Sequence, residues 1–124
     1  KRKNRNKVIL ASKIAGPGLD WIRDGKKSYN EKDLAEAIDG SLKRLKTDYI
    51  DLYQLHWPNR GSYHFRAYWN YSPKKIDLQE AEDEFFEIIS TLAELKKEGL
   101  IRAIGVSNET CWGVMKLNNI IKTL

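Results

Sequence analysis

Residues 47–58 read TDYIDLYQLHWP. Ile50, Leu52 and Leu55 alternate loosely with polar residues, the pattern of a β-strand running from Tyr49 to His56. The run then closes on His56, Trp57 and Pro58. A titratable imidazole is out of place in an apolar core. Its position at the exit of the strand raises the question of what it does there.

The flanking sequence gives this strand its neighbours. Upstream, Lys7 to Ile14 (KVILASKI) is a short, mostly apolar run closed by the turn residues Gly16, Pro17 and Gly18. Ser28, with Glu31 three places on, has the form of a capping box that opens a helix. Leu34, Ile38, Leu42 and Leu45 follow at helical spacing. Downstream, Phe85, Phe86, Ile88, Ile89, Leu92 and Leu95 make a wide apolar helix face. That helix ends on Lys96 and Lys97, with Gly99 as its stop. Ile101 to Val106 reads as a third strand. A third helix is predicted from about Glu109 to the end, with Val114, Leu117, Ile121 and Leu124 on one side.

Apolar strands alternating with helices imply an α/β fold with parallel strands and helical crossovers. Three such units form one region, 1–124, with no internal boundary. They leave two strand edges open, as expected of a segment of a larger α/β protein or of a chain that self-associates through those edges.

Composition narrows the functional classes. Apolar residues make up 41% of the 124 residues and charged residues 31%, a globular balance. No apolar run is long enough to span a bilayer, and the basic start KRKNRNK is followed by too short an apolar stretch for a signal peptide. The net charge of +5 raises nucleic-acid binding, but outside that start the cations are dispersed among 17 acids and no binding motif accompanies them. Cys111 is the only cysteine, which excludes an internal disulfide and fits a reducing, cytoplasmic setting.

Ligands of parallel α/β folds meet the carboxyl ends of the strands. Lys13, His56 and the pair Ser107-Asn108 stand at those three ends. Taken singly, each has an ordinary explanation: a solvated lysine, a half-buried histidine, a helix cap. Together on one rim they form a candidate constellation. The connection from Trp57 to Ala81 is long and carries Trp57, Tyr63, Phe65, Tyr68, Trp69 and Tyr71. Such a loop suits an ordered apolar wall for an organic ligand, though its aromatics could equally pack the loop onto the rim.

Other motifs fail. Gly16-Pro17-Gly18 lacks the third glycine of a dinucleotide fingerprint, since Trp21 stands there. Gly105-Val106-Ser107 lacks the second glycine of a nucleophile elbow, since Glu109 stands there. Cys111 reads as a small buried residue. His56 and His64 are the only histidines, and nothing in their surroundings has metal-ligand spacing.

LKRLKTDYIDLYQLHWP (Leu42 to Pro58), IRAIGVSN (Ile101 to Asn108) and VILASK (Val8 to Lys13) closely resemble motifs of the aldo-keto reductases, in order and at sensible spacings. The details look most like a Tas-like bacterial branch of that family. The resemblance implies a (β/α)8 TIM barrel, of which this chain would be three consecutive βα units, strands three to five, an incomplete barrel. It implies NADPH-dependent reduction of aldehydes or ketones. Lys13 and His56 match two of the family's four catalytic residues, Ser107 and Asn108 its nicotinamide-carboxamide pair, and the loop with Trp57, Tyr63 and Trp69 its substrate wall. The family's tyrosine and aspartate lie upstream of the lysine and have no counterpart here, so the isolated chain is expected to be inactive. Tyr29, at a helix start, and Tyr49, at the amino end of a strand, cannot replace the tyrosine. The family also contains regulatory subunits that bind channels, but nothing in this sequence shows a channel-binding surface.

Overall fold

The computed structural model describes residues 4–26, 28–60, 69 and 76–124. The order is β1 (Ala11–Ile14), α1 (Glu31–Leu45), β2 (Ile50–Leu55), α2 (Leu78–Lys97), β3 (Ile101–Val106) and α3 (Cys111–Ile121), with single 3-10 turns at Arg5–Lys7 and Arg23–Gly25. The strands form one parallel sheet in the order β1-β2-β3. This is the expected α/β arrangement of consecutive strand-helix units with an unclosed sheet.

Register decides which side chains share a face, because alternate residues of a strand point to opposite sides. Ser12, Tyr53 and Ile104 are in register, as are Ile14, Leu55 and Val106. These rows face the helices: the Ser12 hydroxyl lies 3.0 Å from that of Ser41 on α1. Ile14, Tyr53 and Leu55 join Leu34 and Ile38 of α1, Phe85, Ile88, Ile89 and Leu92 of α2, and Leu117 of α3 in one core. The opposite face carries Ala11, Leu52 and Ala103, then Lys13, Gln54 and Gly105. It is uncovered among the described residues, with Ala11, Lys13 and Ala103 exposed. No described helix is long and apolar enough to cross a membrane.

Several local expectations are corrected. The capping box of α1 is Asn30 with Asp33, in place of Ser28 with Glu31. Tertiary structure makes the choice. Buried Tyr29 and Leu34 flank the Asn30 cap as an apolar staple, and Asn59 binds both the Tyr29 N–H (3.1 Å) and its carbonyl (2.8 Å). β1 is shorter than the apolar run, since Val8 and Ile9 are exposed. Phe86 is 51% exposed, because Phe85, Ile88, Ile89 and Leu92 already complete the buried stripe of α2. α3 ends at Ile121, so Leu124 lies beyond it; Val114, Ile121 and Leu124 are exposed, and the buried positions of α3 are Gly113 and Leu117, one turn apart. Cys111 opens α3 and is exposed.

Candidate active site

Lys13 sits on the uncovered face of β1, in register with Gln54 and Gly105. His56 and Ser107 continue that register one step beyond their strands. The His56 N–H donates to the Ile14 carbonyl (3.2 Å) and the Ser107 N–H to the Leu55 carbonyl (2.9 Å). Strand alternation therefore places His56 and Ser107 one row above Lys13, Gln54 and Gly105. Two residues along a strand and one strand across separate Lys13 and His56 by about 8 Å between Cα atoms.

The electrostatics follow from that placement. Burial lowers the pKa of His56 below its ordinary value, and the Lys13 ammonium lowers it further. Both effects disfavour the imidazolium and favour the neutral ring.

The turn after β3 is fixed by its own side chains. Asn108 adopts a left-handed backbone (φ 55°), a conformation asparagine tolerates better than most residues. Its Nδ2 donates to the His56 carbonyl (2.7 Å) and to Ser107 Oγ (3.1 Å). These bonds join the Ser107-Asn108 turn to the exit of β2. Neither residue caps α3, contrary to the sequence expectation. Thr110 does, its Oγ1 accepting from the Gly113 N–H at 3.1 Å.

Trp57 is only 6% exposed. Its indole donates from Nε1 to the Pro17 carbonyl (3.0 Å) and lies against Gly16, where any Cβ would collide with it. Its ring stands 4.4 Å from that of His56. Trp69 is 87% exposed. Tyr63, with Phe65, Tyr68 and Tyr71, lies outside the described residues, as does His64. Tyr29 and Tyr53 are buried, and burial drives both phenols far above their ordinary pKa. Tyr49 lies at the other end of the sheet, between Arg5 and Arg102. None of these three tyrosines is placed to give up a proton beside His56.

A profile of the aldo/keto reductase family matches residues 1–123. The chain belongs to the aldo-keto reductase family. Protein Tas of Escherichia coli is 42% identical over 122 residues, an alignment that takes in 94% of this chain and 33% of Tas. An aldo-keto reductase of Babesia bovis is 36% identical over 124 residues, 94% of this chain and 43% of that protein. Among solved structures, a Klebsiella pneumoniae aldo-keto reductase in complex with NADPH superposes with a TM-score of 0.59 at 27% identity, covering 95% of this chain and 30% of its own. The fold is thus the aldo-keto reductase TIM barrel in part, and the chain spans about a third of the length of Tas.

The motifs quoted from the sequence contain Lys13, His56, Ser107 and Asn108 as candidate site residues. They do not single out Gln54, which lies between Lys13 and Gly105 on the open face. A Cβ on Gly105 would lie 3.0 Å from Gln54 Cγ, so the glycine makes room for that side chain. Counting back two residues from His56 would have found Gln54, because both share one face of β2.

Proposed function

We propose that this chain provides the lysine, the histidine and the nicotinamide-holding turn of an NADPH-dependent reductase of aldehydes and ketones. The observation that carries the reading is the gathering of Lys13, His56, Ser107 and Asn108 at the carboxyl end of one sheet, with Asn108 hydrogen-bonded to the His56 carbonyl. The donor set suits the cofactor. With Nδ2 of Asn108 committed to His56 and Ser107, Asn108 Oδ1 remains as an acceptor and the Ser107 hydroxyl as a donor. A primary carboxamide, such as that on nicotinamide, needs one of each.

When bound, NADPH supplies the hydride. Asn108 and Ser107 hold the carboxamide and thereby set the plane of the ring. Neutral His56 donates a hydrogen bond to the substrate carbonyl oxygen, orienting it and stabilising the charge that develops there. The Lys13 ammonium adds positive potential at the same oxygen and favours the ionised form of an adjacent phenol. Tyr29, Tyr49 and Tyr53 are not placed to be that phenol; following the family resemblance, which puts the proton-donating tyrosine upstream of the lysine, we expect the 124 residues alone to be inactive. By the family resemblance, Trp57, Tyr63 and Trp69, in the segment after β2, are assigned to the substrate wall; Trp57 is the buried member of the three, seated against Gly16 and Pro17. The NADP and NADPH complexes of two Klebsiella pneumoniae structures support the choice of cofactor. Two open strand edges also favour association with a further barrel segment or a second copy.

The test is oxidation of NADPH by the full-length protein with a panel of aldehydes and ketones, comparing wild type with His56→Ala. We expect turnover to fall by about 10²-fold or more. Equal rates in the two proteins would remove His56 from the chemistry.

A further inference from the structure

The loops that leave β2 and β3 are joined twice. The inner link is the bond from Asn108 to the His56 carbonyl. The outer link is an ion pair that the reaction itself does not require. The Arg60 guanidinium spans the Glu109 carboxylate, with Nη1 3.1 Å from Oε2 and Nη2 on Oε1. Nη2 also donates to Thr110 Oγ1 at 3.2 Å, on the residue that caps α3. The two charged side chains are 9% and 5% exposed. The guanidinium carbon lies 5.1 Å from the Phe85 ring centre on α2 and 5.3 Å from that of Trp112 on α3. Gly113 makes room for the pair, since a Cβ there would collide with the Glu109 carboxylate.

Burying an ion pair is a poor way to gain stability, because desolvation offsets most of the attraction, and apolar residues of similar size do as well. A two-pronged contact does fix direction and distance. Arg60 follows His56 by four residues, and Glu109 follows Asn108 directly. Resting on the reductase reading above, we propose that Arg60 and Glu109 are positioning residues whose buried ion pair sets the register between the His56 loop and the Ser107-Asn108 turn. The pair keeps Asn108 within reach of the His56 carbonyl and aims both residues at one ligand.

The decisive variant replaces both charges with apolar groups, Arg60→Met with Glu109→Leu, and Arg60→Lys serves as the conservative companion. Two readouts are taken on the full-length protein: the side-chain amide NMR signals of Asn108, and NADPH affinity from tryptophan fluorescence. The double variant is expected to melt close to wild type. Its Asn108 amide signals should move toward those of a free asparagine and exchange faster, and NADPH should bind about tenfold more weakly. Arg60→Lys, which keeps the charge but loses the fork, should fall between. If the double variant does not fold, the lysine variant decides on the same two readouts. Unchanged Asn108 signals and unchanged affinity in the folded variants would overturn the proposal. Should wild type itself fail to bind NADPH, the reductase reading falls, while the Asn108 signals still decide whether the ion pair sets the register.

Discussion

The amino rim of the sheet holds Arg5, Tyr49, Asp51 and Arg102 in a lattice whose members satisfy one another. The carboxyl rim, a few residues along the same strands, holds Lys13, His56, Ser107 and Asn108, with Asn108 bound to the His56 carbonyl and to Ser107. At the amino rim, Asp51 takes Arg5 at 2.8 Å, Arg102 at 3.1 Å and the Leu10 N–H at 3.0 Å. Arg5 also donates to the Tyr49 carbonyl and to Thr47 Oγ1, both at 2.7 Å, and the Tyr49 ring lies 3.8 Å from each guanidinium carbon. At the carboxyl rim burial, and then the nearby Lys13 ammonium, hold the His56 pKa below its ordinary value. The amino rim is an ion-pair network around Asp51; the carboxyl rim carries the candidate site residues. A parallel sheet permits this division because strand ends of one kind all gather on one side.

The largest effect is expected at Gly16. Gly16→Val would drive the Trp57 indole from its seat and carry the adjacent His56 with it. Carbonyl reduction should fall by about 10²-fold, and thermal denaturation should show a lower midpoint as well. Asn108→Gly comes next. It keeps the left-handed backbone but removes the carboxamide, and isothermal titration should show NADPH bound about tenfold more weakly. An unaltered affinity would dissociate Asn108 from the cofactor.

Asp51→Asn tests the other rim. The Asp51 carboxyl is held below its ordinary range chiefly by the Leu10 N–H; burial opposes this, and Arg5 and Arg102 assist it. A carboxyl with a depressed folded pKa stabilises the fold above its unfolded pKa of about 3.9, and the contribution drains away as pH falls through the folded value. The variant should therefore melt a few degrees lower at neutral pH, with a flatter loss of stability in acid. Its NADPH affinity should match wild type. The smallest effect is expected from Lys13→Met. Removing the ammonium should raise the His56 pKa, seen by NMR titration, only part of the way to its ordinary value, because burial is the larger cause.

The parts of this architecture that are local in origin were legible in the sequence. β3 matches its predicted range residue for residue, and β2 falls within one residue of its own at each end, since strand-forming apolar residues between turn signals mark them locally. Lys13, His56, Ser107 and Asn108 became candidates because they stand at or just past the carboxyl ends of β1, β2 and β3. Features set by contacts across the chain were not legible. The run SYNEKD contains both a Ser28-to-Glu31 and an Asn30-to-Asp33 capping pair, and Asn59, some 30 residues away, holds Tyr29 where only the second can form. The cap of α3 passed from Ser107-Asn108 to Thr110 because Asn108 is committed to His56. The pairing of Arg60 with Glu109 joins residues 49 apart, and no periodicity announces it.

The division between the rims is tested most directly by adding NADPH to the ¹⁵N-labelled full-length protein and mapping the shifted amide signals. Shifts that saturate with cofactor are expected at Gly105, Ser107, Asn108 and His56, while Arg5, Tyr49, Asp51 and Arg102 stay in place. Saturating shifts at the amino rim, or none at Ser107 and Asn108, would contradict it.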